Sequence, residues 1–176
     1  MLEVGNLASA VEDRSHFAAW AVVSSPLILS FNLSDPRRMD RAWPIISNRA
    51  LLGVNQRWAG SPGRRVGFQP QNGFQAWAKP MGNLTYAVFL LNGGEQAINA
   101  LLPIRNVSEA WGHAGVCLQD LFTGLSLPTL EPGQDLGIEG LQPHDSGMFC
   151  AWPVVAGRKG HRPYCRPAAA AGCPLP

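Results

Sequence analysis

Charge is scarce in this sequence. Of its 176 residues only 15% are Asp, Glu, Lys or Arg, against about a quarter in an ordinary soluble domain, so disorder driven by high charge is excluded. The 14 basic and 12 acidic residues leave a formal charge of +2, which gives no footprint for nucleic acid, and none is expected as a partner. Long apolar runs are missing too. The longest, from Trp20 to Phe31, is interrupted by Ser24-Ser25-Pro26 and is too short for the roughly 20 residues a membrane span needs, so no membrane partner is expected. The opening Met1-Leu2-Glu3-Val4-Gly5-Asn6 does not read as a basic, apolar leader and runs straight into sequence that reads as folded structure, so the expectation is either a cytosolic protein or a chain whose true N-terminus is missing.

What is abundant is glycine and proline, 19 and 15 residues, which excludes a long-helix architecture and implies many turns. Ser9 and Glu12 are spaced as a capping box ahead of Phe17, Trp20, Ala21 and Ser24, predicting a helix over about 10–23. Pro26 to Phe31 reads as a short strand buried on both faces, of the kind found in parallel sheets and barrels. Asp40 is read as the N-cap of a short helix through Ser47 with Pro44 in its first turn, and a second short helix is expected over Arg49 to Val54. A linker around Gly60-Ser61-Pro62-Gly63 follows.

From about Val66 the pattern turns to short strands: Phe74–Lys79, Tyr86–Leu91, Ala97–Ile104, Val116–Phe122 and Met148–Val155, separated by Gly, Pro or Asn turns. That spacing argues for an antiparallel β-sandwich. Residues 157–176, with four prolines around an alanine run, are expected to be a disordered tail. One helix-covered strand cannot make a sheet alone, so the strand near residue 29 needs partners elsewhere.

Several ordered motifs carry a resemblance. Met1-Leu2-Glu3-Val4-Gly5-Asn6, Ser15-His16-Phe17-Ala18-Ala19-Trp20-Ala21, Ser25-Pro26-Leu27-Ile28-Leu29, Val54-Asn55-Gln56 and Gln75-Ala76-Trp77-Ala78-Lys79-Pro80 together resemble the C-terminal half of the melibiase-type α-galactosidases, retaining glycoside hydrolases. The resemblance implies the last strands and helices of a (β/α)8 TIM barrel over residues 1–60, then a C-terminal antiparallel β-sandwich over 61–156. It implies a fragment as well. Retaining hydrolysis needs two carboxyl groups about 5 Å apart, and both family aspartates would lie ahead of Met1. The nucleophile's Lys-aromatic-Asp-x-Cys motif is absent, since the two lysines are followed by Pro80-Met81 and Gly160-His161. The chain alone is therefore expected to be inactive. Met1 takes the place of a methionine that lines the galactose subsite in the family, and the implied partner is an α-galactoside oligosaccharide or glycoconjugate, with a homodimer admissible. The family is usually secreted, vacuolar or lysosomal. The chain departs from the family pattern where Leu7-Ala8 replaces Gly-Gly and Phe31-Asn32-Leu33 replaces Asn-Asp-Leu.

Other candidate chemistry is thinner. Asn32, Asn83 and Asn106 each head a glycosylation sequon. Cys117, Cys150, Cys165 and Cys173 admit three pairings; Cys117 and Cys150, on candidate strands, are read either as buried thiols or as a disulfide with each other. His161, four residues before Cys165, lacks Cys-x-x-Cys support, so no metal and no cofactor is expected. His16 is read as a packed or capping residue, and Trp20, Trp77 and Trp152 as core. A non-catalytic β-sandwich that binds a carbohydrate or a protein stands as the alternative function.

Overall fold

The computed structural model describes residues 1–111, 113–156, 163–168 and 172–173. Its centre is a six-stranded antiparallel sheet with both faces covered. In chain order the strands are β1 (Arg64–Gln69), β2 (Phe74–Gly82), β3 (Thr85–Asn92), β4 (Ile98–Leu102), β5 (Val116–Asp120), β6 (Ser126–Leu130), β7 (Leu136–Leu141) and β8 (Ser146–Pro153). The large sheet runs β1-β2-β3-β8-β5-β6, while β4 and β7 form a two-stranded sheet opposite it. This is the antiparallel sandwich the turn spacing predicts. The strands at β6 and β7 escaped the sequence reading because their outward faces are largely exposed and their apolar alternation is weak.

The central strands carry apolar residues at nearly every position because alternate side chains enter two different cores. On one face Ala87, Phe89, Met148, Cys150 and Trp152 pack with helix α1 (Ala10–Val22) and α3 (Arg49–Gln56). On the other, Val88, Leu90, Phe149 and Ala151 pack with Leu102, Leu136 and Trp111 under the small sheet. Trp111, which the sequence reading left unassigned, is wholly buried, and Trp152 is buried as expected. Trp20 and Trp77 are only partly buried and pack against the first core.

Local chemistry explains the helices. Ser9 caps α1 by accepting from Glu12 N at 3.1 Å, and the Glu12 carboxylate accepts from Ala8 N at 3.0 Å, satisfying two orphan donors. Helix α2 spans Pro36–Ile46, so the expected start at Asp40 is corrected: Asp35 is the N-cap, accepting from Arg37 N and Arg38 N, with Pro36 at the first helical position. Asp40 and Pro44 then lie inside the helix. Asn48 caps α3 by accepting from Leu51 N at 3.0 Å.

The connection at residue 63 is pinned. Gly63 N donates to Val22 O at 2.9 Å, and a Cβ there would collide with that same carbonyl. The pairing of Cys117 with Cys150 is overturned: Cys117 bonds Cys165 and Cys150 bonds Cys173. Cys117 and Cys150 belong to neighbouring strands, but each is bridged to the C-terminal segment, whose positions no strand pattern reveals. The disordered-tail expectation is corrected for the described part of 157–176. Tyr164 pairs with Val155 through backbone bonds of 2.9 and 3.1 Å, Arg166 O accepts from Trp152 Nε1 at 3.2 Å, and both bridges anchor this segment. The remainder of that expectation lies outside the described residues.

Candidate functional site around Met1 and Asn6

The first six residues comprise a short extended segment bridged at Leu2 and a turn over residues 4–6. Leu2 N donates to Ile28 O at 2.7 Å, and Leu2 and Leu29 make a single parallel bridge; the expected strand over Pro26–Phe31 buried on both faces is corrected, since the segment is extended only at this bridge and Ile28 is 56% exposed. Helix α1 connects the two segments. Leu2 and Val4 point into the core and are fully buried, leaving Met1 and Glu3 on the exposed side, Met1 at 70% exposure.

Beyond Val4 the chain turns at Gly5, whose φ of +86° disfavours any side chain; a Cβ there would also press on the Phe31 ring at 3.1 Å. The turn is held from beneath by Asp13, a wholly buried carboxylate on α1. It accepts from Gly5 N at 2.8 Å and pairs with Arg41 of α2 at 2.9 Å, and Arg41 donates onward to Leu7 O at 2.9 Å. Pairing and hydrogen bonding offset the cost of burying these charges. As one of two adjacent acids in the first turn of α1, Asp13 has nothing in its neighbouring residues that marks it as buried. Its signal is the glycine eight residues earlier, and that becomes legible only when the helix folds back under the turn.

Asn6 is the hub of the exposed side. Its Nδ2 donates to Glu3 Oε2 at 3.0 Å and to Ser30 Oγ at 3.2 Å, while Arg38 donates to its Oδ1. Ser30 Oγ in turn donates to Leu2 O, tying both strand ends together. His16, expected as a packing residue, accepts from Glu3 N at 3.2 Å and rests 5.6 Å from the Trp20 ring. Burial pushes its pKa below the ordinary 6.5, which keeps the ring neutral and able to accept.

Chemically this cluster can orient a polar ligand, but its acids are committed elsewhere. Glu3 is held by Asn6, and Asp35 caps α2 and pairs with Arg38 at 3.4 Å. Neither forms a carboxyl pair of the sort retaining glycoside hydrolysis uses. The other sequence candidates lie apart. Asn32 accepts from Ser34 N at 3.0 Å in an Asx turn, Asn83 occupies the β2–β3 hairpin, and Asn106 lies in a 3-10 turn, Ile104–Asn106, on the sandwich; all three are exposed. Cys165 is consumed by its disulfide, and His161 lies outside the described residues. No group of three or more His, Cys, Asp or Glu among the described residues could hold a metal. Among those residues no helix is long and apolar enough to cross a membrane.

A helical layer packed on a six-stranded antiparallel sheet is the arrangement of α-galactosidase I from Mortierella vinacea, which superposes with a TM-score of 0.73 at 25% identity over 86% of this chain and 38% of that one. In sequence the chain is 32% identical to an α-galactosidase of Oryza sativa over 154 residues, covering 87% of this chain and 35% of that protein. It is 38% identical to an α-galactosidase of Lachancea cidri over 133 residues, covering 64% of this chain and 28% of that protein. No family model matches the chain. The chain is a relative of the melibiase-type α-galactosidases and spans about a third of the length of the curated relatives it matches.

Proposed function

We propose that this chain is the C-terminal part of an α-galactosidase-type glycoside hydrolase, comprising the last strands and helices of a (β/α)8 barrel over residues 1–60 and the C-terminal sandwich over 61–156. The parent reaction is hydrolysis of terminal α-D-galactosides by retaining double displacement, in which one carboxylate attacks the anomeric carbon and a second carboxyl group acts first as acid and then as base. The observation that carries this reading is the single parallel bridge of Leu2 with Leu29 across α1, which sets two short extended segments and the helix between them in the connection order of a barrel's strand–helix–strand repeat. Active sites of such barrels form at the C-terminal strand ends, where Val4–Asn6 and Ser30–Phe31 lie here. The activity is that of the Oryza sativa and Lachancea cidri relatives, both α-galactosidases.

In this reading Met1 lines the galactose subsite and Asn6, fixed by Glu3, Ser30 and Arg38, shapes the rim beside it. The nucleophile and the acid/base lie outside these 176 residues, so the chain alone turns over nothing. Asn32, Asn83 and Asn106 are exposed and carry glycans if the chain enters the secretory pathway. A chromogenic α-galactoside assay on the isolated chain is expected to give no product above buffer. Turnover abolished by a mechanism-based α-galactosidase inhibitor would overturn the fragment reading.

The second reading, a non-catalytic sandwich that binds a carbohydrate or protein, is favoured by the burial of both faces of the large sheet within this chain. Coding sequence upstream of Met1 that carries the two aspartate motifs decides against it.

A further inference from the structure

We infer that the cleft between the start of β1 and the 3-10 turns Ile104–Asn106 and Glu109–Trp111 binds a phosphate or sulfate monoester borne on a small hydroxylated molecule. The cleft has a volume of about 720 Å³, within the size range of small-ligand sites, and lies on the sandwich. Arg64, Arg65 and Arg105 line it together with one carboxylate, Glu109. None of the three guanidiniums is paired with a carboxylate among the described residues. In a chain whose whole formal charge is +2, that is a local concentration of positive charge and not a generally basic surface.

The walls are built. Arg64 reaches across the cleft to Asn106 O at 3.5 Å, using one N–H and leaving the rest of its planar fork free for a tetrahedral oxyanion. A bulge between Arg65 and Gly67 shifts the alternation of β1, and Arg65 stacks on the Phe68 ring at 4.6 Å, restricting its stem while its charge remains. Asn106 Nδ2 donates to Val66 O at 3.3 Å, tying the turn to the strand. Tyr86 also lines the cleft, held edge-on by Trp111 at 5.2 Å, and the Trp111 indole in turn donates to Leu84 O at 3.2 Å. Arginine forks for the anion, with amide, phenol and carboxylate groups for hydroxyls, define the ligand class. A glycan on Asn106 would stand at the same opening and compete with it.

The test is a titration of the full chain with sodium phosphate and, separately, sodium sulfate at fixed ionic strength, following the arginine Nε–Hε signals by NMR. Galactose 6-phosphate and galactose 6-sulfate form the second pair of probes, and neutral galactose is the control. Saturable shifts at Arg64 and Arg105 are expected for at least one anion, with the sugar ester binding more tightly than the inorganic ion and galactose causing none. Arg64→Gln with Arg105→Gln should weaken binding about tenfold or more, whereas Glu109→Gln, which removes the opposing charge, should strengthen it by about two- to threefold. Both sites are exposed, and an unchanged melting curve shows that the variants fold. Shifts that fail to saturate or do not occur with any of the four anionic probes, or binding that survives the double substitution, would overturn the assignment.

Discussion

His144, in the turn between β7 and β8, lies 3.1 Å from the Glu12 carboxylate of α1 and 3.4 Å from Glu95 in the β3–β4 loop, joining the helical layer to the sandwich. Alongside it Arg14 pairs with Asp145 at 2.6 Å, and Ser15 Oγ donates to His144 O and accepts from the Ser146 hydroxyl, each at 2.8 Å. The hydrogen bond to Glu12, and then that to Glu95, raises the His144 pKa, and the same contact with His144 lowers that of Glu12. A histidine pKa raised by folding contributes stability that is complete below its ordinary 6.5 and fades as pH rises through the raised value. The Glu12 contribution is complete above its ordinary 4.5 and fades as pH falls through the lowered value. Thermal melting of wild type and His144→Asn should therefore differ most between those two values and converge as pH rises through the raised histidine value. The gap should narrow in high salt, because Glu95 is exposed and His144 and Glu12 are partly so. A gap that does not narrow as the solution is made alkaline contradicts the assignment.

Lys79 illustrates what the sequence conceals. It lies in a strand signature that reads as sandwich, yet its ammonium is wholly buried and donates to Val54 O and to Asn55 O, the latter at 3.1 Å, at the C-terminal turn of α3. Burial lowers its pKa to about 8. Because the unfolded chain binds the proton more tightly between about 8 and the ordinary 10.5, wild-type stability should rise with pH across that window. Lys79→Met should lose this slope. It should also cost about 1–3 kcal/mol at pH 7, because two helix-end carbonyls lose their donor. Denaturant melts at pH 7, 8 and 10 read both effects.

How far the sequence carried the structure depends on which residues act locally. Ser9 and Glu12 announce α1 because a cap needs only neighbours, and Asn92-Gly93-Gly94 marks the end of β3 for the same reason. The start of α2 is legible in Asp35-Pro36, a side-chain acceptor followed by a residue with no N–H to satisfy, but Asp40 with Pro44 four residues on offers a competing cap that is equally local. The Asp13 support beneath Gly5, the Lys79 cap on α3 and both cystine pairings join residues 8 to 48 positions apart through the tertiary fold, and no local spacing encodes them. At the candidate site Met1 and Asn6 were readable as motif positions, whereas Arg38, Ser30 and Asp13 were not.

The disulfides give a direct chemical prediction. Peptide mapping without reduction should recover Cys117 joined to Cys165 and Cys150 joined to Cys173, and no Cys117–Cys150 peptide. The bridges close loops of 48 and 23 residues, so each should contribute about 3–4 kcal/mol by limiting the unfolded chain. Cys165→Ser with Cys117→Ala should lower stability by that amount. It should also release Tyr164 from Val155, visible as a new protease cut in the segment that follows β8. Equal stability and protease resistance in the variant would contradict the anchoring.

The β2–β3 hairpin turns through Asn83 and Leu84, with φ of +51° and +58°. Two consecutive left-handed residues form the turn that matches strand twist, and asparagine tolerates it well, but leucine pays a steric cost between its Cβ and its own carbonyl. The Leu84 side chain is 51% exposed, and the group it uses is its backbone O, which accepts from Trp111 Nε1. Leu84→Gly keeps that acceptor and removes the clash. The gain is partly offset by the greater freedom of glycine in the unfolded chain, leaving a net stabilisation of about 0.5–1 kcal/mol. It also preserves the Asn83 sequon, so glycosylation is not a confounding change. Equilibrium unfolding in urea should show a higher midpoint with an unchanged slope. A lower midpoint would mean that the exposed leucine packs against something the isolated chain still provides.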